Sequence, residues 1–201
     1  MKRRIVLGLA PLVLAGCGYN QIQQKDEQAA QAKQQISVQL QRRADLVPNL
    51  VNTVKGYAQH EEAVFTQVAR ARGALTGAIQ TGDPTQMSAA NAQLTGALGR
   101  LIAVAEAYPQ LKADQTFLRL QDELAGTENR IATSRQDYNQ AVADYNAFIR
   151  KFPQAITAKV TGATARTYYE AAPGSEAAPT VDFGTNKTTT PAPTPATPRS
   201  P

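Results

Sequence analysis

Apolar residues recur at helical spacing along most of this chain and predict four long amphipathic helices. The intervals between them are three, four or seven residues, which place side chains on one face of an α-helix. The predicted helices cover residues 22 to about 44, 48 to about 80, about 85 to 108, and 114 to 151. No convincing strand pattern lies between them, so the predicted fold class is all-α.

The last predicted helix has the most regular pattern. Its apolar residues recur every seven positions, at Phe117, Leu124, Ile131, Tyr138, Tyr145 and Phe152. A seven-residue repeat of this length requires partner helices that cross it at small angles. Four long segments with short connections therefore predict an antiparallel, up-and-down four-helix bundle with a slim core.

Prolines and turn residues indicate where these helices are connected. Proline costs about 3 kcal/mol in a helix interior but is well tolerated at the first helical position. The sequence ADLVPN around Pro48 therefore predicts a corner between the first two helices, with a kink as the alternative. TGDP at residues 81–84 predicts a turn, and AYPQLKADQ at residues 107–115 predicts the next connection.

The N-terminal residues resemble a secretory signal. MKRR is positively charged, and the apolar run IVLGLAPLVL that follows it has ten residues. This run is too short to cross a bilayer core of about 30 Å as a helix, but it matches the core of a signal peptide. LAGC at residues 14–17 then resembles the lipobox of bacterial lipoproteins, and Cys17 is the only cysteine of the chain.

The lipobox implies that residues 1–16 are removed as a signal peptide and that Cys17 carries a lipid anchor. Residues 17–21 would form a tether, and the mature chain would face the periplasm or the exterior. Gly18 rather than aspartate follows the cysteine, which by resemblance to lipoprotein sorting favours the outer membrane. The alternative is an uncleaved anchor that contains a buried free thiol.

The helical bundle is predicted to end at about residue 156. Residues 157–183 contain the adjacent tyrosines Tyr168 and Tyr169 and predict an extended strap packed on the bundle. The Thr/Pro-rich residues 184–201 cannot bury enough apolar area to offset their ordering entropy, so we expect a disordered tail there.

Charge and residue types narrow the function classes. The formal charge is +5, but three of the positive charges lie at Lys2, Arg3 and Arg4. No Lys/Arg-rich run interleaved with aromatic residues occurs elsewhere, so we predict no nucleic-acid partner. His60 is the only histidine, and HEE at residues 60–62 offers no second nitrogen ligand for zinc.

Other catalytic patterns are also missing from the sequence. The serines lie within predicted helices, and no Gly-rich phosphate loop follows a strand. Paired carboxylates such as Glu61 with Glu62 are more common on solvated helix faces than in acid–base catalysis. We therefore predict no metal, no cofactor and no enzymatic activity.

A helical wheel places polar and small residues on one outward face near the predicted corner. These residues form a candidate partner surface, and they are Arg42, Asp45, Asn49, Asn52, Gly56 and His60. Outward polar residues beside a glycine can accept a partner helix or strand closely. The alternative is a face that is only solvated.

Five charged residues fall instead within the apolar stripes of the predicted helices. They are Arg43, Glu61, Arg72, Glu128 and Arg135. An unpaired charge in a core is strongly destabilising, so one interpretation is that these charges pair between helices and fix their register. The alternative is that they extend to the edge of the stripe, where water reaches them.

Several segments of the chain resemble the LemA family. They are VQLQRRADLVPNLVNTVKGYAQHEE at residues 38–62, AEAYPQLKADQTFLRLQDELAGTENRIATSRQDYNQAVADYN at residues 105–146, FP at residues 152–153 and APTVDF at residues 178–183. The resemblance covers about residues 22–183 and implies a membrane-tethered, extracytoplasmic bundle of four helices. It implies no settled activity and no catalytic residues.

The chain departs from the pattern of that family in two places. A lipobox stands where many members keep an uncleaved membrane helix, which concerns the type of anchor rather than the fold. AKQQI precedes VQLQRR, whereas a tryptophan is often found there. The second departure implies a slightly different contact at the first helix.

These observations together predict a non-enzymatic envelope lipoprotein. Its partners would be the membrane, through Cys17, and an unidentified envelope protein that the helical bundle binds or organises. One alternative is an enzyme or ligand-binding module that acts on cell-wall or lipid material. Another is an accessory to a membrane protease or sensor. The sequence predicts no particular oligomeric state.

Overall fold

The computed structural model describes the backbone of residues 2–170 and the side chains of residues 18–170. Helices account for most of this part and no strand occurs in it, which confirms the all-α prediction. The helices are α1 (Lys2–Lys55), α2 (Glu62–Thr81), α3 (Pro84–Glu106), α4 (Pro109–Lys112), α5 (Gln115–Arg150) and α6 (Gln154–Thr161). The second half of the predicted strap and the Thr/Pro-rich tail lie outside the described residues.

The corner predicted at Pro48 is wrong, because α1 continues through this residue. The neighbouring side chains of Val47 and Leu50 are buried, so packing holds both halves of α1 in line. Proline has no N–H to donate to the carbonyl of Ala44, four residues earlier. That carbonyl instead accepts a hydrogen bond from Nε of Arg72, in α2, at 2.8 Å. A bond from a neighbouring helix thus replaces the lost intrahelical bond.

The chain reverses direction after Lys55, in the connection that leads to α2. The amides of Tyr57 and Ala58 both donate to the carbonyl of Val54, at 3.0 and 2.9 Å. These bonds tighten the end of α1. The N-terminal part of the predicted second helix therefore belongs to α1, and α2 begins only at Glu62.

The long helices α1 and α5 pack along each other in opposite directions. Near the start of the described side chains, Ile22 clusters with Tyr145 and Ile149, late in α5. At the other end, the hydroxyl of Tyr57 donates to Asp114 at 3.0 Å, just before α5. Helices α2 and α3 pack on each other and on α1. Fully buried residues of the shared core include Ile36, Leu40, Leu75, Leu94, Leu101 and Ile131.

Two aspartates define the starts of α3 and α5. Gly82 ends α2 with a φ of 66°, a left-handed conformation that glycine adopts easily. The carboxylate of Asp83 accepts a hydrogen bond from the amide of Thr85 at 2.8 Å. The carboxylate of Asp114 accepts one from the amide of Thr116, also at 2.8 Å. These caps satisfy amides that have no partner inside the helix, and they fix where each helix begins.

Candidate functional site

The six residues of the predicted partner surface lie at the C-terminal part of α1 and in the connection after it. All six are exposed, and they form what we call the α1 polar surface: Arg42, Asp45, Asn49, Asn52, Gly56 and His60. Among them, Asp45 accepts a hydrogen bond from Nε2 of Gln41 at 2.8 Å. The opposite side of the same helix turns is buried, so the backbone beneath this surface is held in place.

A shallow open groove lies beside the α1 polar surface. Its apolar part is formed by Val38 and Leu46 of α1 and by Ile79 of α2. Val38 is 49% exposed, which is high for a large apolar side chain. The groove also includes Arg42 and Asp45, so apolar and charged groups adjoin one another. This combination is typical of the rim and core of a protein contact.

The only histidine of the sequence, His60, lies in the connection between α1 and α2. His60 is exposed and is followed by Glu61 and Glu62. Within residues 18–170, no group of three or more His, Cys, Asp or Glu side chains is arranged to hold a metal ion.

Two of the inward charges meet between α1 and α5. Arg43 of α1 is 5% exposed and forms an ion pair with Glu128 of α5. Nη1 of Arg43 also donates to Oδ1 of Asn91, in α3, at 2.6 Å. We call Arg43, Glu128 and Asn91 the buried charge cluster. It connects three helices, and burial lowers the pKa of Arg43 while the nearby Glu128 carboxylate opposes that shift.

The buried charge cluster is not completely satisfied. Nε of Arg43 is buried without a hydrogen-bond partner. The Glu128 side chain is 42% exposed as a whole, but Oε2, the oxygen that pairs with Arg43, is buried. A buried polar group that lacks a partner reduces stability, so part of what the ion pair contributes to stability is offset.

The other three inward charges have different surroundings. Arg72 donates to the carbonyl of Ala44, as described above. The guanidinium of Arg135 lies over the ring of Tyr169, 4.8 Å from its centre, in a cation–π contact. Glu61 is half-buried immediately before α2, and its side chain makes no capping hydrogen bond. The five residues therefore do not form one ionic network.

A non-helical segment after α6 packs across the bundle, and we call residues 163–170 the docked strap. Asn146 of α5 bonds both backbone groups of Arg166, the carbonyl at 2.9 Å and the amide at 2.8 Å. Asn139 bonds both backbone groups of Tyr169 in the same way, at 3.0 and 2.8 Å. These two asparagines hold the strap through its backbone, independently of its side chains.

The spacing of these contacts shows that the docked strap is extended. Asn139 and Asn146 are seven residues apart, or about 10.5 Å along a helix that rises about 1.5 Å per residue. Arg166 and Tyr169 are three residues apart, or about 10 Å in a chain that rises about 3.3 Å per residue. The two distances match, so the strap is extended between these contacts. The earlier strap residue, Arg166, bonds the later asparagine, Asn146, so the strap runs antiparallel to α5.

Side chains fix the docked strap to two further helices. The guanidinium of Arg166 forms two hydrogen bonds to the carboxylate of Asp26, in α1, at 2.7 and 2.8 Å. These bonds lower the pKa of Asp26. The hydroxyl of Ser88, in α3, donates to the carbonyl of Glu170 at 2.7 Å. Tyr169 is 2% exposed, and burial raises the pKa of its phenol to about 12.

Sequence reasoning did not identify the residues that hold the strap. One signal for them exists in the sequence, because Asn139 and Asn146 are one heptad apart and lie next to the apolar seam of α5. Asn91 also lies at a buried position of α3. A buried asparagine needs a hydrogen-bond partner, so such positions indicate long-range polar contacts.

Cys17 lies within α1, and its side chain is outside the described set, so its lipidation stays a prediction. Within the part of the chain that the structure describes, none of the helices has a stretch long and apolar enough to cross a membrane.

Comparison with known proteins identifies the family. The LemA family model matches residues 32–183, which is more than half of the chain. The chain belongs to the LemA family. The matched LemA region contains the α1 polar surface, the buried charge cluster and the docked strap, whereas Cys17 precedes it.

Named relatives of this LemA-family chain are moderately similar to it. Magnetosome proteins MamQ 2 and MamQ 1 of Paramagnetospirillum magneticum are each 29% identical over 183 residues, and the match covers 79% of this chain and 66% of theirs. Protein LemA of Metamycoplasma hominis is 23% identical over 134 residues, with 66% of this chain and 60% of that protein covered. The chain spans just under two thirds of the length of these MamQ relatives.

Proposed function

We propose that this LemA-family protein is a non-enzymatic, membrane-anchored protein of the bacterial cell envelope that binds and organises another envelope component. The observation that carries the proposal is the α1 polar surface. Four of its residues, Arg42, Asp45, Asn49 and Asn52, lie on consecutive turns of α1. The opposite side of these turns is buried, at Val47 and Leu50. A rigid, exposed polar face beside an apolar groove is suited to a protein partner.

The proposed architecture is an up-and-down bundle in which α1, α2, α3 and α5 are the four long helices. The antiparallel packing of α1 on α5 and the pairing of α2 with α3 support this arrangement. In this proposal a lipid at Cys17 attaches the bundle to the outer membrane, facing the periplasm. The MamQ relatives are magnetosome proteins by name, and this relationship supports membrane association of the present chain.

The experiment that tests the surface is site-specific photo-crosslinking in whole cells. A photoreactive residue at Asn49 is expected to yield a defined crosslinked product, because Asn49 is exposed at the middle of the α1 polar surface. A photoreactive residue at Asn129, exposed on α5, is the matched control. The product should disappear when Asn52→Arg is added, since the new charge lies one helical turn away.

The control for that loss is Gln136→Arg, at another exposed position of α5. Gly56 is left unchanged, because a Cβ at this position would lie 3.3 Å from the carbonyl oxygen of Thr53 and could alter the end of α1. Crosslinks of equal yield at Asn49 and Asn129, or no loss with Asn52→Arg, would contradict the assignment of this surface.

A further inference from the structure

In α6, the last helix of the described residues, and in the turn before it, the large apolar side chains lie on the outside. Phe152 is 82% exposed, Ile156 is 59% exposed and Val160 is 82% exposed. Ile156 and Val160 are four residues apart in α6 and so lie on one side of this helix, and Phe152 lies in the turn just before it. They are the most exposed large apolar side chains in the described part of the protein. We call them the α6 apolar stripe.

The inward side of α6 is already occupied by the fold. Ala158 is 4% exposed and packs with Ile22, Tyr145 and Ile149, so a small residue faces the bundle while the larger ones face out. A helix that served only to complete a core would have the opposite pattern, with its large apolar residues inward. The stripe therefore needs an apolar contact outside the described part of the fold.

The position of α6 indicates what that contact is. Its side chains lie against the backbone of Gly18, where a Cβ would be 3.4 Å from Oγ1 of Thr157. Gly18 directly follows Cys17, the residue that carries the lipid in the proposed function. Tyr19, the next residue of α1, is 44% exposed, and tyrosine is enriched at the boundary between lipid and water.

The charges around the stripe also favour lipid. Arg150, Lys151 and Lys159 are all exposed, and residues 150–162 contain no aspartate or glutamate. An apolar helix face flanked by basic side chains is the pattern of helices that lie at the surface of a membrane with anionic headgroups. Basic residues near such a surface are attracted to it, and this attraction is weakened by salt.

We propose that the α6 apolar stripe docks on the headgroup–acyl boundary of the membrane that holds the N-terminal segment. Phe152, Ile156 and Val160 enter the apolar side of this boundary, and the basic residues beside them contact anionic headgroups. The chain then has a second membrane contact next to its attachment point, which restricts the tilt of α1 and α5 relative to the bilayer. This inference rests on the membrane attachment in the proposed function.

The test uses tryptophan as a local probe, because the chain contains no tryptophan. Full-length Ile156→Trp and Val160→Trp are reconstituted in vesicles that contain anionic lipids, with or without bromine on the acyl chains. Both tryptophans are expected to emit at shorter wavelength in vesicles than in the same protein without lipid. Their emission is also expected to be quenched when the vesicles contain brominated lipids. The matched control is Leu118→Trp. Leu118 is 38% exposed and lies near the start of α5, at the end of the bundle away from Gly18, so this probe should stay unquenched.

A second variant tests the role of charge. Lys151→Glu combined with Lys159→Glu is expected to reduce the quenching of Ile156→Trp, and high salt should reduce the quenching of the parent probe. These basic residues are exposed, so their replacement leaves the core intact. Quenching that is unchanged by both treatments would overturn the headgroup contact.

Flotation of the vesicles separates failure of this inference from failure of the proposed attachment. Protein that floats with vesicles while Ile156→Trp and Val160→Trp stay unquenched would refute docking of the stripe and leave the attachment standing. A different result would be emission that shifts to shorter wavelength without quenching, with a shift that grows as the protein density in the membrane rises. That result would show that a second copy of the protein covers the stripe, and it would refute docking on lipid. Protein that does not float would refute the attachment, and docking with it.

Discussion

Pro48 of α1 leaves a backbone carbonyl without its usual donor, and Arg72 of α2 supplies the missing hydrogen bond. Pro48 leaves the carbonyl of Ala44 without its intrahelical donor. Arg72 lies within the apolar stripe of α2, where a charged side chain would otherwise be unfavourable, and its guanidinium bonds that carbonyl at 2.8 Å. The two unusual residues are thus explained together.

We predict that Arg72→Ala lowers the free energy of unfolding by about 1.5–3 kcal/mol, the range for a hydrogen bond to a charged group. In a Pro48→Ala background the loss should be much smaller, because the new amide at position 48 can donate to Ala44. Urea denaturation of the two single variants and the double variant measures this coupling. Equal losses in both backgrounds would show that Arg72 acts independently of the proline.

Tyr169 is the residue whose titration has the clearest effect on stability. Burial raises its pKa to about 12 in the folded protein, whereas an unfolded tyrosine has a pKa of about 10. Its hydroxyl is buried without a hydrogen-bond partner, since the Ser88 hydroxyl donates to the Glu170 carbonyl instead.

The stabilising contribution of the neutral phenol should therefore be complete below pH 10 and decline as the pH rises from about 10 towards 12. In that interval the unfolded chain binds fewer protons than the folded chain, so the loss approaches about 1.4 kcal/mol per pH unit. Denaturation across this range should show a steeper decline for the parent than for Tyr169→Phe, which cannot ionise. Parallel curves for the two proteins would be evidence that the phenol is not desolvated.

Tyr169→Phe should lower the free energy of unfolding only slightly at neutral pH, because no hydrogen bond of the hydroxyl is lost.

At the scale of elements, the docked strap depends on α5 for its position. Asn139 and Asn146 bond backbone groups of the strap, so they determine where it lies but place no demand on its side chains. Arg166 adds the one ion pair between the strap and α1 in the described residues, through Asp26. Removal of one asparagine leaves a partly buried amide and carbonyl of the strap without these partners.

We predict that Asn139→Ala and Asn146→Ala each release the strap without unfolding the bundle. Hydrogen exchange of the amides of Tyr169 and Arg166 should become faster in the corresponding variant, while amides in the middle of α1 keep their protection. Asn129→Ala, on the exposed side of α5, is the control and should change neither set. Exchange that accelerates equally in the strap and in α1 would indicate global destabilisation instead.

At the scale of the whole molecule, the antiparallel pair of α1 and α5 sets the length of the protein. The 36 residues of α5 extend about 54 Å at about 1.5 Å per residue. The α6 apolar stripe lies near one end of this pair and the α1 polar surface lies towards the other. In the proposed function, an anchor at Cys17 would therefore hold the α1 polar surface away from the membrane.

We predict that Cys17 is the site of acylation. Cells grown with an alkyne fatty acid should label the protein, and globomycin, which blocks lipoprotein signal cleavage, should cause the unprocessed form to accumulate. Cys17→Ser should abolish the label, because the chain has no other cysteine. Labelling that persists in Cys17→Ser, or a parent protein without any label, would rule out the lipobox interpretation.

Local patterns in the sequence were enough to predict the fold class and the approximate positions of α3 and α5. The heptad of α5 and the spacing of apolar residues elsewhere predicted an all-α fold, since periodicity depends only on residues a few positions apart. TGDP marked the connection between α2 and α3, where Gly82 and Asp83 lie. The quoted motifs predicted the LemA family, which the match over residues 32–183 confirms.

Contacts between distant residues decided what the sequence alone left open. The sequence by itself determined that the chain is mainly helical and which family it belongs to, because both are carried by residue types and local spacing. It missed the helix α6, whose residues 157–161 were expected in the extended strap. Only the tertiary structure decided that α1 passes through Pro48, that Arg43 meets Glu128, and that two asparagines hold an extended strap. The physical reason is that a carbonyl, a buried charge or a backbone amide is stabilised by whichever group reaches it in the folded chain, and that group is 20 or more residues away in each of these cases.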